Sequence, residues 1–135
     1  MTVDQISSII SQWEAEEIEL GQSATLESIA EAEKIIEFSF PSDFKNLYLK
    51  VDGFKNWGWR SNMFSMWPIH RIVEEYLQDS KKNFVGFCDY LINSHQIGFF
   101  KDRIGVYKSY DEFNSICQTF QEVILLINED SELIY

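Results

Sequence analysis

The chain has 135 residues, 45% of them hydrophobic and 16% aromatic, which indicates one folded domain over residues 1–135 rather than a disordered chain. Its formal net charge of −11 argues against nucleic acid as a partner, because binding phosphates requires a basic surface. No stretch reaches the roughly 18 apolar residues that a membrane span needs, and the N-terminus lacks the basic region of a signal peptide. We therefore expect a cytoplasmic protein without a membrane partner.

Three helices are predicted in the first part of the chain. The first covers residues 3–20 and stops at Gly21, Thr25 is suited to cap the second, and Pro41 fits the first position of the third. Gly53 is well placed to end that third helix in a left-handed conformation. The residues expected to face the core are Val3, Ile6, Ile9, Ile10, Trp13, Leu26, Ile29, Ala32, Ile36, Phe44, Leu47, Tyr48 and Val51.

The rest of the chain predicts strands followed by a helix. We expect a loop at 55–62, a strand at 63–67 and a helix from Pro68 to about residue 79. The residues that this helix is expected to bury are Ile69, Ile72, Val73, Tyr76 and Leu77. Strands are then expected at 84–91, 95–100 and 104–110, followed by a short edge strand at 116–117 and a helix capped by Thr119. This order favours an α+β fold, in which N-terminal helices precede a mostly antiparallel sheet of about four to six strands flanked by helices.

Four segments resemble, in order, the SUKH superfamily of SMI/KNR-like proteins. They are a helix–Pro–helix unit at 29–53, a strand-to-helix step at 66–69, a sheet core at 87–94, and residues 105–107 with 116–124. The resemblance spans about residues 24–130 and implies a single SUKH-like domain. It also implies a binding protein without catalysis or cofactor, typically a bacterial immunity protein that neutralises a cognate toxin. Because the family includes fungal regulators, a regulatory or scaffold module with a non-toxin partner is the alternative.

Catalytic and metal-binding motifs are absent from the sequence. There is no glycine-rich phosphate loop, HExxH, GxSxG or pair of cysteine ligands, so we expect neither an enzyme nor a metal site. His70 and His95 are expected to have ordinary surface or hydrogen-bonding roles. Cys88 and Cys117 are expected to be buried free thiols, with a disulfide or a reactive thiol as the alternative. Asp89 lies in an apolar run and must reach solvent or a donor, since burying it unpaired is costly.

Two sets of residues are candidates for binding a partner. The first is Trp57 and Trp59 in a polar loop, with Asn56 and Arg60 beside them as hydrogen-bonding groups at an interface rim. The alternative is that both tryptophans cover the edge of the core. The second set is acidic, because residues 1–40 hold nine Asp or Glu and one Lys, a balance of −8. From this set we select Glu14, Glu17, Glu27 and Glu31.

The acidic N-terminal part of the chain can attract a basic partner and speed the encounter. The alternative is that these acidic helix faces are simply solvated. Nuclease toxins tend to be basic, and the sequence therefore predicts a basic protein toxin as the partner. Oligomeric state is not predicted.

Overall fold

Five α-helices and one four-stranded antiparallel sheet form the fold, which confirms the predicted α+β class. The computed structural model describes all 135 residues. The elements are α1 (Val3–Ala15), α2 (Leu26–Ile36), α3 (Ser42–Tyr48), β1 (Phe64–Met66), α4 (Ile69–Gln78), β2 (Phe84–Tyr90), β3 (His95–Phe100), β4 (Tyr107–Lys108) and α5 (Phe120–Asn128), with 3-10 turns at Lys55–Trp57 and Glu132–Ile134. None of the helices combines the length and the hydrophobicity required to cross a membrane.

The strands lie in the sheet in chain order, and each pairs antiparallel with the next. Residues that pair directly across strands share a face of the sheet. One face carries the aligned polar residues Ser65, Asp89 and Gln96, and the other carries Met66, Cys88 and Ile97. The second face belongs to the hydrophobic core that the sheet shares with the helices. The polar face therefore holds the one acidic residue that the sequence places inside a strand.

Aromatic rings fill the centre of the core, as the composition predicts. Phe44 of α3 is fully buried, and its ring stacks on Phe40 and on Tyr48 with centroid distances of 4.1 Å in both cases. The edge of Phe120 in α5 meets the same ring at 5.1 Å. The Tyr48 hydroxyl donates to the carbonyl of Trp67 over 2.6 Å. Rings from α3 thus join the helices to the sheet.

The two N-caps predicted at Thr25 and Thr119 are confirmed, and Thr2 caps α1 in the same way. The hydroxyls of Thr2, Thr25 and Thr119 each accept a hydrogen bond from the backbone N–H three residues later, which satisfies a donor that the first helical turn leaves free. Pro41 and Pro68 stand one position before α3 and α4 rather than inside them. Local sequence chemistry therefore sets where the helices begin.

The first helix ends at Ala15 rather than at residue 20, so the predicted end was wrong. Glu17 has a φ of 62°, the left-handed conformation. The N–H of Ile18 donates to the carbonyl of Trp13, and the N–H of Glu17 donates to that of Glu14, which is a Schellman motif. A run of acidic residues at the C-terminal end also opposes the helix dipole. Residues 16–20, which include three glutamates, therefore lie outside the helix.

Three residues predicted to be buried are exposed. The exposed fractions are 74% for Val3, 66% for Leu26 and 57% for Leu77. Val3 and Leu26 are the first residues of their helices, and Leu77 is the residue before the last of α4. Helical periodicity correctly gives the direction of a side chain, but the terminal turns of these helices extend beyond the core.

The third predicted strand of the meander is shorter than expected. Only β4 forms within residues 104–110, because Gly105 turns the chain with a φ of 113°. The edge strand expected at 116–117 is a single bridge between Val106 and Cys117. The sheet therefore has four strands, at the lower end of the predicted range.

The β2–β3 hairpin has a strained connection, the hairpin tip, which comprises Leu91, Ile92 and Asn93. Their φ values are 50°, 47° and 67°, so all three are left-handed. That conformation costs a residue with a side chain roughly 1–2 kcal/mol, with asparagine among the residues that tolerate it best. The hairpin tip thus holds two large apolar residues in a backbone conformation that glycine would adopt freely.

Both cysteines are free, as predicted, with Cys88 buried and Cys117 half-buried. Burial raises the pKa of the Cys88 thiol well above its usual value and raises the pKa of Cys117 to about 12. Only thiolate attacks a disulfide reagent, so neither cysteine should react within minutes at about pH 8 in the native protein. Titration with an aromatic disulfide should detect both thiols only after denaturation. Fast reaction of either thiol in the native state would contradict the burial described here.

Candidate partner-binding surface

A groove of about 720 Å³ lies beside the 3-10 turn that carries Trp57. We call it the Trp57 groove. One wall is the segment after α1, another is the 3-10 turn, and the third is the beginning of α4. The lining residues relevant to its chemistry are Ser23, Asp52, Asn56, Trp57, His70 and Arg71. The groove therefore contains two of the residues that the sequence nominated, Asn56 and Trp57.

Arg71 lies between two tryptophan rings in the Trp57 groove. Its guanidinium carbon is 4.0 Å from the ring centroid of Trp57 and 4.6 Å from that of Trp67. Both distances are within the range of cation–π attraction. Arg71 is only 5% exposed, although it stands in the first turns of α4. Trp57 thus covers a buried cation while the tryptophan itself remains largely exposed.

Asp89 neutralises Arg71 from the sheet. An Nη2 atom of Arg71 donates to Oδ2 of Asp89 over 3.1 Å, and Asp89 is 1% exposed. The same oxygen accepts from the backbone N–H of Asn93 over 2.7 Å. Asp89 therefore reaches a donor, as predicted, and joins the floor of the Trp57 groove to the hairpin tip. The Nε of Arg71 and Oδ1 of Asp89 make no hydrogen bond, so this buried pair is only partly satisfied.

Trp57 and Trp59 are both accessible to a partner. Their exposed fractions are 60% and 43%, well above those of Trp13 and Trp67, which are buried. Asn56 and Trp57 have φ values of 56° and 59°, so both residues of the turn adopt the left-handed backbone conformation. One face of the Trp57 ring therefore packs on the buried Arg71, while much of the side chain remains open to solvent.

The acidic end of α1 lies next to the tryptophan turn. A second groove of about 260 Å³ is lined by three glutamates and one lysine together with Asn56 and Trp59; the charged residues are Glu16, Glu17, Glu19 and Lys55. The amide of Asn56 donates to Glu19 over 3.0 Å. Neither Glu17 nor Glu19 has a cation within salt-bridge distance, in contrast to Glu16. Glu14 is exposed one helical turn earlier. The structure thus brings carboxylates without cation partners and an exposed indole into one surface, which we call the acidic–aromatic surface.

Arg60 does not belong to this surface, so its prediction as an exposed rim residue was wrong. It is 7% exposed, and its Nε donates to Glu16 over 2.8 Å. Its guanidinium also donates to the backbone carbonyls of Ile127 and Asn128 at the end of α5. A cation at this position satisfies carbonyls that a helix leaves free and complements the helix dipole. Arg60 therefore joins α1 to α5 and has a structural role.

Glu27 and Glu31 lie apart from the acidic–aromatic surface. Both are exposed on α2, and neither lines the Trp57 groove or the second groove. The solvated-face alternative fits these two glutamates, whereas Glu14 and Glu17 lie near the tryptophan turn. The sequence predicted that α1 continues to residue 20, so it placed Glu14 and Glu17 on a helix face like that of Glu27 and Glu31 and did not distinguish the two pairs.

Asp52 organises the start of α4. Its Oδ1 accepts from the N–H of Ile69 over 2.7 Å, and so takes the capping role that Pro68 cannot. Burial raises the pKa of Asp52, and the Ile69 N–H and the nearby His70 oppose that rise. Ser23 is the hydroxyl residue that lines the Trp57 groove, and it donates to the carbonyl of Lys50 rather than to His70. Asp52 and Ser23 therefore both bond to backbone groups of the fold.

Sequence reasoning missed Arg71 as a residue of this site. Asp89 signalled that a donor must lie near it, but the chain holds eleven Lys and Arg residues besides backbone N–H groups. The spacing of α4 indicated helix residues 69, 72 and 76 as its buried side, and Arg71 adjoins that stripe. The sequence alone therefore does not select the partner of Asp89.

The fold and the site define a small α+β protein with a surface that combines exposed tryptophans and carboxylates. The family model of the SMI1 / KNR4 family (SUKH-1) matches residues 23–134, and the chain belongs to that family. This confirms the resemblance found in the sequence. A search of curated proteins found no match to the chain.

Proposed function

We propose that this protein is a non-catalytic immunity protein that binds a basic bacterial toxin domain, a nuclease among the candidates, and neutralises it. Membership of the SMI1 / KNR4 family (SUKH-1) supports a binding role. The observation that carries the proposal is the acidic–aromatic surface, where Glu17, Glu19 and Trp59 line one groove.

Each part of the acidic–aromatic surface has a physical role in binding a basic protein. Tryptophan contributes large contact energies because it buries a wide rigid ring and offers one donor. Carboxylates without cation partners attract a basic protein over long range and raise the association rate. The net charge of −11 adds to this attraction. The partner is therefore expected to be a protein with a basic active-site face.

Rescue of cell survival is the direct test of the immunity function. The C-terminal domain of the polypeptide encoded immediately upstream of this gene should be expressed with and without this protein. Killing in its absence and survival in its presence are expected. Killing without rescue would overturn the proposal and favour the alternative, a regulatory or scaffold module with a non-toxin partner.

Association with that domain should depend strongly on salt. We expect the association rate constant to fall by about tenfold or more as ionic strength rises from roughly 0.01 to 0.15 M. A Glu14→Gln, Glu17→Gln variant should associate more slowly and show a weaker salt dependence. The matched control is Glu112→Gln, Glu122→Gln, which removes the same charge from exposed residues elsewhere. Stopped-flow kinetics measures both, and equal effects of the two variants would contradict a local role for the acidic–aromatic surface.

A further inference from the structure

The hairpin tip lies in an exposed apolar patch that the acidic–aromatic surface does not include. Leu91 and Ile92 are 47% and 52% exposed, and Met63 and Tyr135 are 38% and 40% exposed. The N–H of Leu91 donates to the carbonyl of Met63 over 3.1 Å. The rings of Tyr90 and Tyr135 meet at 5.3 Å. These contacts place the four exposed residues at the same end of the sheet.

The backbone holds Leu91 and Ile92 outward against its own preference. Three successive left-handed residues without glycine occur at the hairpin tip, and such strain persists only where surrounding contacts impose it. Those contacts are present: Asp89 binds the N–H of Asn93 from inside the sheet, and Arg71 fixes Asp89. A buried ion pair therefore supports the presentation of two apolar side chains to solvent. This arrangement points to a contact surface rather than to a connection alone.

The side of the patch next to Tyr135 is acidic. Glu129, Asp130 and Glu132 are exposed, and residues 128–135 contain no Lys or Arg. The side chain of Asn62, beside Met63, donates to Asp130 over 3.4 Å. The cation next to Tyr135 is Lys108, whose Nζ is bound to the Tyr135 backbone oxygen over 2.6 Å.

The opposite side of the hairpin differs in charge. The groove there, which Asn93 and Ser94 line, has two cations and two carboxylates in balance: Lys81, Lys82, Asp79 and Glu112. The excess of negative charge therefore lies on the side of Met63 and Tyr135. A partner that fits the whole patch combines an apolar pocket with basic residues along one edge.

We propose that the hairpin tip is a second contact surface of this protein, which inserts Leu91 and Ile92 into an apolar pocket bordered by basic residues on the toxin domain. This inference rests on the proposed function and adds a surface to it. The acidic–aromatic surface speeds the encounter, whereas the hairpin tip supplies apolar contact that slows dissociation.

Two variants separate the side chains of the hairpin tip from its backbone strain. Leu91→Asn, Ile92→Gly places residues suited to the left-handed conformation there, so it should raise the Tm by about 3–8 °C. Leu91→Ala, Ile92→Ala keeps the strain and removes the apolar contact, so its Tm should stay close to that of the wild type. Both should weaken binding of the upstream-encoded domain by about tenfold or more, mainly through faster dissociation. The matched control is Leu77→Gln, a similarly exposed leucine on α4, which should change neither quantity.

Calorimetry and surface-immobilised binding kinetics measure these outcomes, and sedimentation shows the state of the free protein. A lower Tm for Leu91→Asn, Ile92→Gly would overturn the claim of strain. If the wild type binds and both variants dissociate at its rate, the second surface is wrong while the proposed function stands. No binding by the wild type would overturn both. A wild-type dimer that the variants lose would identify a second copy of this chain as the occupant, which also overturns the proposal.

Discussion

Replacing Asp89 with alanine should lower the free energy of unfolding by about 3 kcal/mol, the lower end of the range for a broken buried ion pair. The buried guanidinium of Arg71 then keeps only the more exposed Glu75, 3.8 Å from its Nε, as a counterion. The side chains of Asp89 and Arg71 are 1% and 6% exposed and are 3.1 Å apart. The substitution also frees the N–H of Asn93. Since a domain has a total stability of roughly 5–15 kcal/mol, this loss is a large part of it. Urea denaturation followed by tryptophan fluorescence measures the change.

The exposed pair Asp102–Arg103 is the matched control for that experiment. Its side chains are 57% and 34% exposed, and Asp102→Ala should leave the denaturation midpoint unchanged within error, since exposed ion pairs contribute little. A double-mutant cycle with Asp89→Asn and Arg71→Met isolates the pair itself. A zero interaction energy in that cycle, or equal losses for Asp89→Ala and Asp102→Ala, would show that the buried pair does not hold this part of the sheet.

Replacing Phe44 with alanine should cost about 3–5 kcal/mol, the range for a large aromatic residue removed from a packed core. Phe44 is 0% exposed and stacks on Phe40 and Tyr48. It also meets Phe120 edge to face, so its removal leaves a cavity that α3, α5 and the sheet all border. Phe44→Leu retains most of the volume and should lose less.

The control for Phe44→Ala is Phe113→Ala, at a phenylalanine that is 86% exposed. That change should stay within about 0.5 kcal/mol of the wild type. Chemical denaturation of the three variants gives the comparison. Equal losses for Phe44→Ala and Phe113→Ala would contradict the position assigned to the α3 ring at the centre of the core.

The parts of the fold that the sequence predicts well depend on contacts between near neighbours in the chain. Thr2, Thr25 and Thr119 cap helices three residues away, and this chemistry is visible in any short segment. The aromatic stripe of α3 was found in the same way, through helical spacing. Helix starts and core residues are therefore readable from the sequence.

The parts that were missed depend on partners far along the chain. Arg60 is buried because Glu16 and the end of α5, more than 40 residues away in each direction, satisfy it. Arg71 is buried because the sheet supplies Asp89. Likewise, nothing in the residues Leu91 and Ile92 signals a left-handed backbone. The contact of Asp89 with Asn93 is local, but Asp89 is fixed by Arg71, and Leu91 is bound by Met63, both far back in the chain. Burial of a charge and strain in a turn are tertiary properties.

The Arg71–Asp89 pair also has an evolutionary consequence. Asp89 fixes the backbone of the hairpin tip through its hydrogen bond with Asn93, and the guanidinium of Arg71 packs against the ring of Trp57. The outward side chains at 91 and 92 make few contacts that folding requires, and exposed substitutions usually change stability little. Lineages that retain Arg71 and Asp89 are thus free to replace the residues that the pair presents. A fixed interior of this kind lets the exposed side chains change without a change of fold.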